Sequence, residues 1–450
     1  MGRGVMGLSR RSLLWGVACL VARRAVAQTA TGDFQILRAM RAKAPLMGEG
    51  IPATAVWTFD KPVVSARQGE ELRLRVFNDL DFEIWLHFFG VRGPSELMTF
   101  NVPAGWHFDC VFVPPDAGTF WLGPMADISR LRDMGLYAMV AVAEAEALSA
   151  LEDVPLVLDD WMLDDVGRIV EGFGDVATMV GEGRLGNWFT VNGRYRPHIA
   201  LAADKTSRLR ILNAANTRSF DLLFKGGDPL LVALDGQPVM ATRLGASALV
   251  LAPGQRADVL LAPDASTTMA LDLYEDISEL CYLDAGKAAV VPDLAATFAL
   301  PANPIPVGFD SATARQTPLV IEGGLKGGLK QALYGGQMAD LRTLLGHGMG
   351  WAFNGAAGPG GAPLLVAKTG EALVIAVDNR TAFAQPLHIH GHVWREVTAE
   401  GGTPWRDTAV VGPHGQLKLG FIASNPGSWA IQSLIAERAD GGLLGGFTVS

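Results

Sequence analysis

Cysteine is scarce in this 450-residue chain, with Cys19, Cys110 and Cys281 the complete set. Once an exported leader carrying Cys19 is removed, at most one disulfide can form, between Cys110 and Cys281. The sequence leaves that pairing open against two separate buried thiols, because it does not give their separation in space. Helical periodicity is equally scarce, which argues against a helical bundle. No basic patch with interleaved aromatics occurs, and the formal net charge of -9 disfavours nucleic acid or an anionic membrane surface as partner. No Ser/His/Asp or Cys/His nucleophile signature and no phosphate-cradling glycine loop is found. The apolar run from Leu13 to Val21 is too short for an ordinary membrane helix, so no span is expected after leader cleavage.

What is present reads as all-β. Glycine (53) and proline (25) together make up about a sixth of the residues. Short Val/Leu/Ile runs recur between these turn residues. At the amino end, Ser9-Arg10-Arg11-Ser12-Leu13-Leu14 is a twin-arginine pattern, and Ala25-Val26-Ala27 offers a signal-peptidase site. Residues 1–27 are therefore expected to be a leader that sends the protein, folded, to a bacterial periplasm, a chance arginine pair before a Sec signal being the alternative.

Three segments share a grammar: GEELRLRVFN ending at Asn78, KTSRLRILN ending at Asn213, and GEALVIAVDN ending at Asn379. Alternation at Leu72, Leu74 and Val76, or at Leu373, Ile375 and Val377, fits strands with one face on a core. An internal repeat of domain length is the simplest account. The acidic piece around Glu152 to Pro155 and the run LPANPIPVGF from Leu300 to Phe309 serve as linkers. Domains are placed at about 33–150, 151–302 and 315–450, each a Greek-key β-sandwich or barrel.

Histidine is concentrated rather than spread. Three of the eight lie within five residues, in QPLHIHGHVW from Gln385 to Trp394. His388, His390 and His392 alternate, so on a strand they would share a face. His107, His198, His347 and His414 are isolated and read as surface or turn residues. Met125 and Met134, with Asp127 and Asp133, could line a copper-delivery patch or simply pack. Asp159-Asp160 and Asp164-Asp165, flanking Trp161-Met162-Leu163, read as a solvated strand end and turn.

With three such units in view, the chain resembles the three-domain multicopper oxidases, a cupredoxin-built family that includes laccases and bacterial copper-efflux oxidases. The resemblance runs in order through Leu86-His87-Phe88-Phe89-Gly90, Gly118-Thr119-Phe120-Trp121, Asn192-Gly193 with Pro197, Arg208 to Asn213, Asp235-Gly236 and Pro253 to Asp258. It continues through Asn354-Gly355, Gln385 to His392, Asp407-Thr408 and Asn425 to Trp429. It implies three consecutive cupredoxin-like domains. It also implies a blue copper site feeding a trinuclear cluster held by four His-x-His pairs.

The residues at those positions depart from the family pattern. Ser433 stands for the blue-site cysteine, Gln385 and Arg438 for its histidines, and Leu443 near its axial methionine. At the cluster, Phe89, Gly123, Met125, Gln432 and Leu434 stand where the family has histidine. His87, His388 and His390 remain, of which the first two match the ligands of the single apical copper. The resemblance thus implies a member acting by protein binding, similar to a copper-free, twin-arginine-exported relative that bacteria use as a periplasmic cell-division scaffold. The alternative is one copper or zinc ion on His87, His388 and His390, serving mononuclear chemistry or exchange with a metal donor. His392 is the least suited of the three to be a ligand.

Overall fold

The computed structural model describes residues 33–262, 266–286, 298–399 and 402–450. The twin-arginine leader and Cys19 lie outside these residues. Three β-sandwiches follow one another, and each repeats the same pairing logic. The entry strand runs parallel to the strand that carries the repeated phrase: Gln35–Ala44 beside Leu72–Asn78, Leu151–Trp161 beside Thr206–Asn213, and Arg315–Gly323 beside Glu371–Asn379. The phrase strand then pairs antiparallel with His107–Phe112, Arg256–Leu261 or Gln416–Ala423. The opposing sheet contains a second parallel pair in each unit, Val63–Arg67 with Ala138–Ala143, His198–Ala200 with Ile277–Asp284, and Val366–Ala367 with Leu444–Val449. Parallel neighbours need crossover connections, so these sandwiches are Greek-key-like and not simple meanders.

The asparagine that closes each phrase has a packing reason that the sequence does not state. Asn78, Asn213 and Asn379 are buried. Each Nδ2 donates to a carbonyl four or five residues on (Phe82, Arg218, Phe383) and to one on another strand or its end (Val102, Leu251, Gly412). Each Oδ1 accepts the backbone N–H two residues later, from Leu80, Ala215 or Thr381. One side chain therefore satisfies three backbone groups where the strand turns away, which a hydrophobic residue could not do.

Burial along these strands follows their place in the assembly. Leu72–Asn78 alternates buried and half-buried residues, whereas Thr206–Asn213 is buried throughout. The second face of that middle-domain strand meets the first domain: Arg208 pairs with Glu144 at 2.5 Å, and Arg210 donates to Thr119 at 3.1 Å. The cores of the first and third units merge into one apolar cluster, while the second keeps its own. Cys110 lies in the merged core and Cys281 in the separate one, and both are free thiols. Among the described residues no helix is long and apolar enough to cross a membrane.

Asp159 and Asp160 correct the expectation of a solvated strand end. Both are buried near the end of Leu151–Trp161. Tyr137 donates its hydroxyl to Asp159 at 2.5 Å, and Arg218 and the Gly186 N–H serve Asp160 at 2.7 and 2.6 Å. Partners distant in the chain, not solvent, hold Asp159 and the Oδ2 of Asp160, while Asp160 Oδ1 is buried without a partner.

Candidate metal centre

The merged core brings together the histidines of the first and third domains. His87 sits on Ile84–Phe89, and His388 on Gln385–Ile389, a strand held between Thr408–Val411 and Gly427–Ser433. The strand ends at Ile389, so His388, His390 and His392 do not share one strand face as their alternation suggested. Gly391, at φ 66°, turns the chain, and His392 points elsewhere. Its Nδ1 lies 3.0 Å from the His390 carbonyl, its Nε2 accepts the Asn425 N–H at 3.3 Å, and its ring meets Phe421, Trp429 and Phe447. His392 is thus a satisfied core residue, with burial pushing its pKa down to about 4.

His87, His388 and His390 converge, each offering a ring nitrogen within 4.8 Å of the others. All three are buried. The His87 and His390 rings stack at 3.8 Å between centroids, and His388 lies 5.3 Å from His390. Thr99 Oγ1 is 2.7 Å from His87 Nδ1, and Gln432 Oε1 is 3.2 Å from His390 Nε2. His388 Nδ1 faces Asp407 Oδ1 at 3.2 Å and Thr408 Oγ1 at 3.1 Å. On the other side of the rings, His87 Nε2 and His388 Nε2 are enclosed and meet no hydrogen-bond partner. Burial first, and then the neighbouring imidazoles, hold the pKa of His87 and His390 well below the usual histidine range. Burial opposes ionisation of Asp407, but Arg256 and His388 outweigh it and keep that carboxyl an anion. His87 and His390 are thus neutral nitrogen donors, and the site carries one fixed negative charge at Asp407.

Next to it the lining turns apolar. Phe89 and Trp121 stack at 4.0 Å with 10° between planes. They cluster with Leu434, Met139, Val157 and Leu212, and Met125 packs alongside. A side chain at Gly123 would run into the Trp121 ring. Beyond Ser433 a further polar knot forms. Arg438, on the short helix Ala436–Asp440, donates to Ala384 O at 2.7 Å, Gln385 Oε1 at 3.1 Å and Glu182 O at 3.3 Å. Its guanidinium carbon lies 5.0 Å from the Trp351 ring centroid and 4.9 Å from that of Phe383. Burial lowers its pKa to about 10, still well above neutrality. The Ser433 hydroxyl contacts Gln385 Oε1 at 3.5 Å and accepts the Ile435 N–H at 3.2 Å. Leu443 is fully buried beside this group, its carbonyl accepting the Ser433 N–H at 2.9 Å.

The remaining sequence candidates take structural places. His107, His198 and His414 are exposed, and His347 stacks on Tyr334. Asp133 pairs with Arg184 at 2.6 Å. Sequence reasoning missed Arg256, whose guanidinium grips Asp407 from the second domain. Its signal was the phrase PGQRAD, read only as a family marker.

Three cupredoxin-type sandwiches with a histidine cluster where the first meets the third define a three-domain cupredoxin protein. Family models described as multicopper oxidase match residues 50–147, 152–270 and 334–450. The chain belongs to the multicopper oxidase family. It is 26% identical over 420 residues to the multicopper oxidase MmcO of Mycobacterium tuberculosis (strain ATCC 25618 / H37Rv), covering 83% of this chain and 78% of that protein. It is also 26% identical over 422 residues to the cell division protein FtsP of Escherichia coli (strain K12), covering 86% and 83%. Among solved structures, a multi-copper oxidase from Pseudomonas thermotolerans superposes with a TM-score of 0.78 at 25% identity, covering 94% of this chain and all of that one. A Campylobacter jejuni metallo-oxidase, at 22% identity and a TM-score of 0.74, shares the fold.

Proposed function

We propose that this protein is a periplasmic member of the family that does not work as a four-copper oxidase and acts by binding another protein. The observation that carries this reading is Arg438, a buried cation at a blue-site histidine position, hydrogen-bonded to the amide that stands at the other. A blue site needs a thiolate and two imidazoles. The chain offers a hydroxyl, an amide and a guanidinium that stays protonated and repels a metal ion. The Phe89–Trp121–Leu434 cluster likewise supplies no donor where a copper pair would sit. Without an electron entry point, reduction of oxygen to water has no supply. The similarity to FtsP and the twin-arginine pattern support export and a scaffolding role. The partner is an unidentified periplasmic protein, and nucleic acid is disfavoured by the net charge of -9.

A second reading is favoured by the two enclosed, unpartnered nitrogens, His87 Nε2 and His388 Nε2. Buried polar atoms without partners are rare in native proteins and call for an explanation such as a bound ion. Imidazole suits both copper and zinc. With metal–nitrogen bonds of about 2.0–2.1 Å, tetrahedral ligands stand roughly 3.3 Å apart, so the three rings would draw slightly together from their present spacing. His390 would also have to release or share Gln432. Such an ion would supply a Lewis-acid centre or a metal for transfer.

Both readings meet one experiment. The mature protein is purified from periplasm without chelator, reloaded with cuprous or cupric ion, and analysed for metal, visible absorption and phenol oxidation, beside His388→Ala. The leading reading expects no intense blue band and no oxidation. Four equivalents of copper with a blue band would overturn it. About one equivalent that disappears in His388→Ala supports the single-ion site, and no metal in the wild type removes it.

A further inference from the structure

The proton arrangement around His388 can be worked out from its neighbours. The Asp407 carboxylate is enclosed and clasped by the guanidinium of Arg256, through Nη1 at 3.0 Å and through Nη2, an ion-pair geometry that calls for the anion. It has no proton to give. The Thr408 hydroxyl donates to Asp407 Oδ1 at 2.7 Å, which commits the only proton on that oxygen. His388 Nδ1 faces both groups, at 3.2 and 3.1 Å. Two acceptors with no free hydrogen require the hydrogen to sit on Nδ1. Nε2 is enclosed with no acceptor in reach, so a second proton there would be stranded, and the arrangement favours an imidazole whose Nε2 keeps a bare lone pair.

Arg256 is itself fixed from several sides. Its Nε donates to Thr119 O at 3.1 Å, its Nη1 to Gly254 O at 3.0 Å, and its backbone N–H to Asp235 Oδ1 at 3.0 Å. The first domain passes the ion pair at Gly90, whose φ of 86° and missing side chain are both needed, since a Cβ there would strike Arg256 Nη2 and Asp407 Oδ2. Threonine 119, arginine 256 and aspartate 407 come from the first, second and third domains. Their arrangement therefore exists only when the three are assembled.

We propose that Asp407 and Arg256 are positioning residues that hold His388 as the Nδ1–H tautomer, leaving a bare, enclosed Nε2 for one copper or zinc ion held among His87, His388 and His390. The assignment rests on the single-ion reading above. The opposite tautomer would have a different consequence: an N–H on His388 Nε2 would be enclosed with no acceptor in hydrogen-bond reach, and that nitrogen could not serve as a ligand. Carboxylate partners of ligand histidines commonly act in this orienting way, and their removal costs about 10–100-fold in metal affinity.

The test is imidazole 15N shifts in metal-free, histidine-labelled protein, joined to copper titration of wild type, Asp407→Asn and Thr408→Val. The expected wild-type result is a protonated Nδ1 and an unprotonated Nε2 on His388. Asp407→Asn should raise the Nε2–H population and weaken copper binding about 10–100-fold. Should that variant fail to fold with Arg256 unpaired, the wild-type tautomer and Thr408→Val decide the matter. A wild-type His388 carrying its proton on Nε2 overturns the proposal, whatever copper does. The expected tautomer in a protein that binds no copper or zinc overturns the single-ion reading, and with it the assigned ligand.

Discussion

Arg438 donates Nη1 to Gln385 Oε1 across 3.1 Å, and both residues are sealed from solvent. A cation, an amide and two aromatic faces thus complete one another at a point where the family's chemistry would want imidazoles. The arginine fills volume, satisfies three carbonyl-type oxygens and has no carboxylate directly bonded to it. Arg438→Ala should cost about 2–4 kcal/mol, through the cavity and the stranded acceptors. Arg438→Met keeps most of the volume and removes the buried charge, so it should lie within about 1 kcal/mol of wild type. Urea midpoints of the two variants check the ordering, and equal losses would show that charge, not packing, dominates.

Ser433→Cys should not create a blue centre. The thiolate would face Arg438 and Gln385, with no nitrogen donor to share an ion. Copper-loaded Ser433→Cys is expected to lack an intense visible band, and a strong blue colour from this single change would mean that Arg438 moves aside.

Phe89→His should destabilise the protein by about 2–4 kcal/mol without adding a metal equivalent. The substitution breaks the stack with Trp121 and places a polar ring among Leu434, Val157 and Leu212. Chemical denaturation with parallel metal analysis reads both halves of the expectation.

His392→Gln should separate fold from site. The ring bonds the His390 carbonyl and the Asn425 N–H, contacts that a glutamine can partly reproduce. A loss of about 1–3 kcal/mol with unchanged copper stoichiometry is expected, whereas His388→Ala should lose the metal and keep the fold.

Stability should also depend on pH through the helix Ala436–Asp440. Asp440 accepts the N–H groups of Ser129 and Ile128 at 2.8 and 3.0 Å, and burial nevertheless holds its pKa up at about 7, as it does for Asp133. An unfolded aspartate titrates near 3.9. A carboxyl raised in the fold contributes stability that is full below about pH 4 and lost as the pH climbs to about 7. His87, His390 and His392 act in the opposite sense, their contribution falling as pH drops below about 6.5. The informative quantity is therefore the difference between wild type and Asp440→Asn across pH 4–7. The variant should lose the downward component, and an unchanged slope would mean that Asp440 is ionised throughout.

The strands and their repetition were legible because alternation such as Leu72, Leu74 and Val76 reports directly on a half-buried sheet. The convergence of His87 with His388 and His390 was legible only through the resemblance, since three hundred residues of chain separate the first from the others. Local pattern failed where partners come from afar. Asp159 and Asp160 look like a solvent-facing acidic pair until Tyr137 and Arg218 close over them. The alternation of His388, His390 and His392 suggested a shared face, but Gly391 bends the chain between the last two. The phrase around Arg256 marked the family and not the residue's role, because an arginine inside a strand is ordinary until an aspartate from another domain meets it.

The stack of Phe89 on Trp121, capped by Leu434, also bears on how this sequence can change through time. Five positions, Phe89, Gly123, Met125, Gln432 and Leu434, would need histidine to complete the family's four His-x-His pairs. A histidine at Gly123 would collide with the indole, and one at Phe89 would give up the stack upon it. The packing makes these positions interdependent, so that a change at Phe89, Gly123 or Leu434 is felt by the indole between them and is expected to need a compensating change beside it.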